Sequence, residues 1–261
     1  MTPGSRAWSR TIAWGIPSIL IAASIFAWEL IARLTDTPRW FLPPPSAIAS
    51  ALFDDRRLML HHTWVTLEEL LLGFTISVLL GIAFALAIAS SRVVERAFYP
   101  FVVASQAIPI IALAPILLIW FGYGLTPKVI VVVLICFFPI VVNTVDGLRS
   151  VDPELIDLLR SMGANEWTIY RVIRIPSSLP YIFSGTRIAA AVSVIGALIG
   201  EWVGASAGLG YLMTRSAAQF LTARVFAAVL ISAVIGLAMF GIVSLLERLF
   251  LPWQHIGASD E

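Results

Sequence analysis

The sequence predicts an all-α polytopic membrane protein with six transmembrane helices, and two observations predict it. The 261-residue chain is 59% hydrophobic and only 13% charged, where soluble domains run about 45–50% and about 25%; its mean hydropathy is +0.92. The charges also leave long gaps. Thr11–Trp28, Leu70–Ser91, Ala97–Pro127, Val129–Val145 and Val225–Leu246 carry none, and a sixth apolar run is interrupted only by Arg187 and Glu201. Apolar stretches of about 18 residues or more are long enough to cross a bilayer.

The first span is expected at Thr11–Leu34. It follows Arg6 and Arg10 as a signal peptide would, but it is longer than a signal core and further spans follow, so it reads as retained. Pro43–Pro45 then stop any helix. Ser46 is the expected N-cap of a short amphipathic helix, Ala47–Phe53, and Trp40 and Phe41 suit a membrane–water interface. The second span is expected at Thr63–Ser90. After "SRVVERAF" comes a third, Phe98–Phe121, with Pro109 and Pro115 inside it. Each proline costs about 3 kcal/mol in a soluble helix, so this span is expected to be kinked, or packed inside among neighbours that satisfy its backbone, and could line a path. "GYGLTPK" is a tight turn. The fourth span is expected at Val129–Asn143, with Pro139 near its end. A polar loop at about 146–178 precedes the fifth span, Leu179–Val203. The glycines of "GASAGLGYLMTRSAAQFLTAR" disfavour a regular span, and the sixth is expected at Val225–Leu249. Residues 1–34 form one segment with the first helix, and 35–261 form the core.

A net charge of +1 gives no reason to expect a nucleic-acid partner. Lys128 is the single lysine, and it follows Pro127, so the G-x-x-x-x-G-K-[ST] phosphate loop is absent. G-x-S-x-G and H-E-x-x-H are absent too. The chain is not expected to be an enzyme or to bind a cofactor. His61, His62 and His255 lack the spacing of a metal site, and Cys136, inside an apolar run, is expected to pack.

The loop carries unusual charge for this chain. "VDPELIDLLRSMG" reads as a helix: Asp152 and Pro153 open it with an acidic first turn, and Gly163 stops it. Leu155, Leu158, Leu159 and Met162 fall on one face, with Asp157 and Arg160 off it. "EWTIYRVIRI" is a second helical run ending at Pro176. Physics alone leaves two uses open. The loop lies on the bilayer surface with Arg171 and Arg174 near lipid phosphates, or it docks on a soluble partner.

The loop resembles the EAA signature of binding-protein-dependent ABC importer permeases, E-A-A-x3-G-x9-I-x-L-P. Gly163 takes the glycine, and nine residues later come Ile173, Arg174, Ile175 and Pro176. Asp157, Leu158 and Leu159 stand at the Glu-Ala-Ala positions, an acid one methylene shorter followed by two leucines. "FLPPPSAIASAL", "IPIIALAPILLIWFGYG", "FFPIVVNTVDGL" and "SLPYIFSGTRIAAA" are similar to the branch importing nitrate, sulfonates, taurine and pyrimidine precursors. "GEWVGASAGLGYLM" and "SAAQFLTARVFAAV" look most like permeases for thiamine-type pyrimidine precursors or riboflavin.

The resemblance implies half of a type I importer in the cytoplasmic (inner) membrane. Two copies pair as a homodimer, each on one of two ABC ATPase subunits that bind ATP and Mg, and a periplasmic or lipid-anchored binding protein delivers solute. It implies that the loop is a coupling helix. Asp157 would face a basic group on the ATPase, Leu158, Leu159 and Met162 would fill an apolar groove, and Gly163 would turn the chain back to the membrane. Aliphatic sulfonate, taurine or nitrate is the alternative cargo. A secondary transporter or channel working alone is the rival, and it would want paired ionisable residues at mid-membrane.

Ionisable groups at membrane depth are functional candidates by default. Glu201, beside Trp202, is expected at the outer interface or at a gate, and Arg187 is expected to snorkel to the headgroups. Gln106 and Asn143 either meet solute or join helices. Glu68, Glu69 and Glu29 are expected at span boundaries. Counting Lys and Arg, nine against seven favour cytoplasmic termini.

Overall fold

The computed structural model describes residues 3–35, 38 and 40–252, and for 3–15 and Arg92 the backbone alone; His255 lies outside the described residues. The described residues form eleven α-helices: α1 (Pro3–Leu34), α2 (Pro45–Asp54), α3 (Arg56–Ala89), α4 (Arg92–Ser105), α5 (Ile110–Phe121), α6 (Leu125–Arg149), α7 (Pro153–Ser161), α8 (Glu166–Ile169), α9 (Ile175–Trp202), α10 (Leu209–Ala218) and α11 (Thr222–Phe250). A π turn, Tyr170–Arg174, joins α8 to α9. Among the described residues there is no strand. Five helical stretches are long and apolar enough to cross a membrane, and the pair α4 and α5 makes a sixth when counted as one broken span. Large apolar side chains face outward along them, among them Phe26, Leu79, Ile119 and Leu237. Such a surface is stable where hydrocarbon replaces water.

One compact unit comprises Met1–Leu60 and Leu212–Leu230. Within it, Glu29 of α1 accepts hydrogen bonds from the Ser46 amide (3.0 Å) and hydroxyl (2.8 Å) and pairs with Arg33. Ser46 is therefore not the N-cap. Pro44 holds that position in extended backbone, and Pro45 opens α2 with its fixed φ. The freed Ser46 hydroxyl goes to Glu29. Arg224 grips Asp55 with two hydrogen bonds, 2.7 and 3.0 Å.

The second unit comprises His61–Tyr211 and Ile231–Glu261. Its centre is the α6–α9 pair. A Cβ on Gly185 of α9 would come within 2.7 Å of the Pro139 carbonyl, so only glycine lets the two backbones approach this closely. Leu70, Val132, Cys136, Ile140, Ala189, Ala190, Val194, Met239 and Val243 fill the surrounding core.

Three further expectations change. The third span is not one kinked helix: α4 and α5 are broken at residues 106–109 and bent by 97°. Pro109 takes the cap of α5 in extended backbone, while Pro115 stays inside α5. α6 extends beyond Val129–Asn143 at both ends, putting Pro139 inside it. Pro176 does not end a helix. Glu166–Trp202 runs on as one 37-residue stretch, because the wider π turn changes the backbone pairing just ahead of a residue with no N–H. The glycine-rich segment after α9 forms no span, as its glycines suggest; it holds a ten-residue helix, α10, too short to cross.

Candidate functional site

Two regions gather the polar chemistry of the second unit, one at each end of α6. About 24 residues at 1.5 Å per residue separate them by roughly 36 Å.

At the C-terminal end, the Asp152 side chain caps α7 by accepting from the Glu154 amide at 2.9 Å, and Pro153 occupies the first turn. Gly163 closes it at φ +85°. The Ala164 amide reaches back to the Leu159 carbonyl at 3.0 Å, the pattern of a left-handed helix stop. Asn165 then caps α8 by accepting from the Thr168 amide at 2.8 Å. Ile156 and Ile169 close over Val151, with Leu159, Ala164 and Ile173 around them. The expected apolar stripe is thus divided. Leu155, Leu158 and Met162 are exposed, as is Trp167, while Leu159 turns inward with Ile156. The 100° step per residue places 159 beside 156 rather than beside 158.

Asp157 is exposed and lies 3.3 Å from Arg160, which also pairs with Glu166 at 2.9 Å. The hydrogen bond and charge of Glu166, with Asp157 behind it, hold the Arg160 guanidinium above its ordinary pKa. The Tyr170 hydroxyl donates to the Ala89 carbonyl, tying the π turn to the end of α3. Pro176 is exposed in the first turn of α9.

At the opposite end of α6, five buried polar side chains meet. Lys128 of α6 donates to Glu69 of α3 at 2.6 Å. Glu201, 1% exposed, accepts from the Thr66 hydroxyl of α3 at 2.6 Å and from the Gly210 amide. The Leu209 amide donates to Thr66 Oγ1 at 2.8 Å, and the Gly208 amide donates to His62 Nδ1 at 3.0 Å. Glu201 and Thr66 therefore take up free N–H groups at the start of α10. Gly208 permits this: its φ is +117°, and a Cβ there would strike the Glu201 carboxyl. Glu69 Oε2 is buried without a hydrogen-bond partner.

Glu201 is thus enclosed by its own hydrogen-bond partners, whereas Trp202 is half exposed beside it. Glu69 is buried, level with the first turn of α6 through Lys128. Sequence reasoning missed this cluster, although its signal was present. His62, Thr66 and Glu69 recur at helical spacing on one face of α3.

The remaining candidates stand apart. Gln106 is exposed at the α4–α5 break. Asn143 donates to the Pro139 carbonyl at 2.8 Å on its own helix and faces α9 at Gly185. It lies about 22 Å along α6 from Lys128. Arg187 pairs with Glu247 of α11 at 3.0 Å.

Residues 77–251 match the family model described as "Binding-protein-dependent transport system inner membrane component". The chain is 41% identical to the formylaminopyrimidine transport permease protein ThiX of Halalkalibacterium halodurans, over 91% of this chain and 95% of the relative. It is 37% identical to the riboflavin transport system permease protein RibX of Chloroflexus aurantiacus, over 93% and 91%. It is 29% identical to the taurine transport system permease protein TauC of Escherichia coli, over 94% and 91%. A match over most of a chain built of spanning helices leaves one reading. The chain belongs to the family of binding-protein-dependent transport system inner membrane components and is a multi-pass permease subunit of an ABC importer.

Proposed function

We propose that the chain carries a thiamine-type pyrimidine precursor or riboflavin across the cytoplasmic membrane, using ATP hydrolysed, with Mg, by partner ATPase subunits. Both termini lie in the cytoplasm. The permease works as a homodimer on two ATPase subunits, with a periplasmic or lipid-anchored binding protein supplying solute, and residues 35–261 form its core. α7 is the coupling element. The observation that carries this is the exposed face of α7, where Leu155, Leu158, Met162 and Asp157 point into solvent from a platform braced by Ile156 and Ile169. Exposed apolar side chains on a short, well-capped helix fit a partner's groove. In this reading Asp157, Leu158 and Met162 make the contact, Leu159, Ile173 and Gly163 shape the platform, and Pro176 begins the membrane segment. Gln106 and Asn143 are candidates for the path, and Glu201 with Trp202 for the gate.

The solute assignment follows the relatives named for formylaminopyrimidine and riboflavin, which at 41% and 37% stand nearer than the taurine permease at 29%. The test is ATPase activity of the assembled complex in nanodiscs, with solute-loaded binding protein. Stimulation by a pyrimidine or flavin supports the assignment, and stimulation by a sulfonate or taurine alone overturns it. Uptake into liposomes by the permease without any ATPase would sink the coupled mechanism.

A further inference from the structure

The cavity behind α7 is not absorbed by the coupling reading. It has a volume of about 630 Å³, within the roughly 300–1,000 Å³ of small-ligand sites. It opens where α3 ends, α4 begins and α6 ends, at one end of the bundle. Four arginines line it: Arg96, Arg149, Arg160 and Arg174.

Two of them are occupied. Arg149 pairs with Glu95 and lies over the Tyr99 ring at 4.5 Å. Arg160 is taken by Asp157 and Glu166. Arg96 and Arg174 have no carboxylate partner among the described residues. Arg174 sits over the Tyr170 ring at 4.8 Å, which fixes its plane, and its Nε is buried with no hydrogen-bond acceptor. A buried guanidinium N–H left unfilled keeps its full desolvation cost, so an acceptor from outside the chain satisfies it best. A planar fork of donors fits phosphate oxygens in particular. Basic pockets between helices at a membrane face recognise anionic headgroups on this principle.

We propose that this cavity binds a phosphate group through Arg96 and Arg174, supplied by an anionic phospholipid headgroup or by free phosphate. The bound phosphate completes the hydrogen bonding of Arg174 and braces the π turn against the ends of α3 and α4. The inference holds whichever solute is carried.

The test uses the full-length permease purified in detergent and equilibrated with equal phosphatidylglycerol and phosphatidylcholine, with retained lipid read by native mass spectrometry. Retention of phosphatidylglycerol is expected to exceed that of phosphatidylcholine at least fivefold. The Arg96→Gln/Arg174→Gln double variant should lose that preference at least fivefold. Arg57→Gln, which removes an exposed charge at the other end of α3, should leave it unchanged. Arg96 is exposed, so Arg96→Gln alone keeps the test valid if Arg174→Gln misfolds; it should lower retention at least threefold. A parallel arm titrates inorganic phosphate and follows thermal unfolding. Stabilisation by phosphate without lipid preference, lost in the Arg96→Gln variant, identifies free phosphate as the source. Absence of both effects, or effects indifferent to Arg96 and Arg174, overturns the site.

Discussion

Lys128 lies 2.6 Å from Glu69, so the single lysine of the chain is spent on an ion pair buried between α6 and α3. Removing one member of such a pair leaves the other charge without compensation, at a cost of about 3–5 kcal/mol. Lys128→Met leaves both Glu69 and Glu201 without their nearby cation. It is expected to lower the thermal unfolding midpoint in detergent markedly. Glu69→Gln should cost less, because Lys128 still has Glu201 nearby. Equal effects of the two variants would show that Glu201 does not share the lysine.

Arg187 and Glu247 form the second such pair, partly open to their surroundings. Arg187→Gln is expected to destabilise by about 1–3 kcal/mol, the cost of an unsatisfied buried acceptor. The exchanged pair Arg187→Glu/Glu247→Arg should recover most of it. Thermal unfolding of the two variants side by side checks this, and no recovery would mean that the pair is incidental.

Leu158 and Met162 contribute little to the fold because both are exposed. Leu158→Asp and Met162→Asp should leave unfolding unchanged, within about 0.5 kcal/mol, and abolish co-purification with the ATPase. Ile156→Asp is the contrasting case. It places a charge in the Val151–Ile169 core, and both stability and assembly are expected to fall. Retained assembly in the two exposed variants would remove α7 as the docking element.

Gly163 has φ +85° with open space around its α-carbon. Gly163→Ala therefore meets no clash and carries only the left-handed backbone penalty, about 1–2 kcal/mol. Gly163→Asn should be milder, since Asn tolerates that conformation. Limited proteolysis of the 161–166 turn reads the difference.

Cys136 is fully buried at the α6–α9 contact and donates weakly to the Ala189 carbonyl at 3.4 Å. A maleimide dye should not label it in the folded protein and should label it stoichiometrically on unfolding. The chain thus carries its own probe for the experiments above, and rapid labelling in the native state would contradict the packing.

The sequence made the class, the spans and the α7 loop legible, because apolar length and the Asp-Pro…Gly punctuation are local signals. It did not make the α4–α5 break legible. A proline permits a kink, a break or a straight packed helix, and neighbours decide which. Leu159 was misplaced because four apolar residues were read as one stripe, while Ile156 competed for the inner face. The partners of Glu201 and Arg187 were invisible for a different reason. Thr66 is 135 residues from Glu201 in sequence, and Glu247 is also far from Arg187 along the chain. Only the polar spacing of His62, Thr66 and Glu69 hinted at a lined-up face.

The helical stretch from Glu166 to Trp202, with a π turn near its start, joins the loop platform to the buried acid. It is about 55 Å long at 1.5 Å per residue. A tilt of 5° about its midpoint carries each end sideways by about 2.4 Å, in opposite directions, for a rod of that length. That exceeds the slack of a hydrogen bond. Such a tilt begun at the Glu166 end would pull Glu201 from Thr66 and from the first amides of α10 without any relay of side chains in between. Leverage along that stretch would then bridge the distance between the two ends of the bundle.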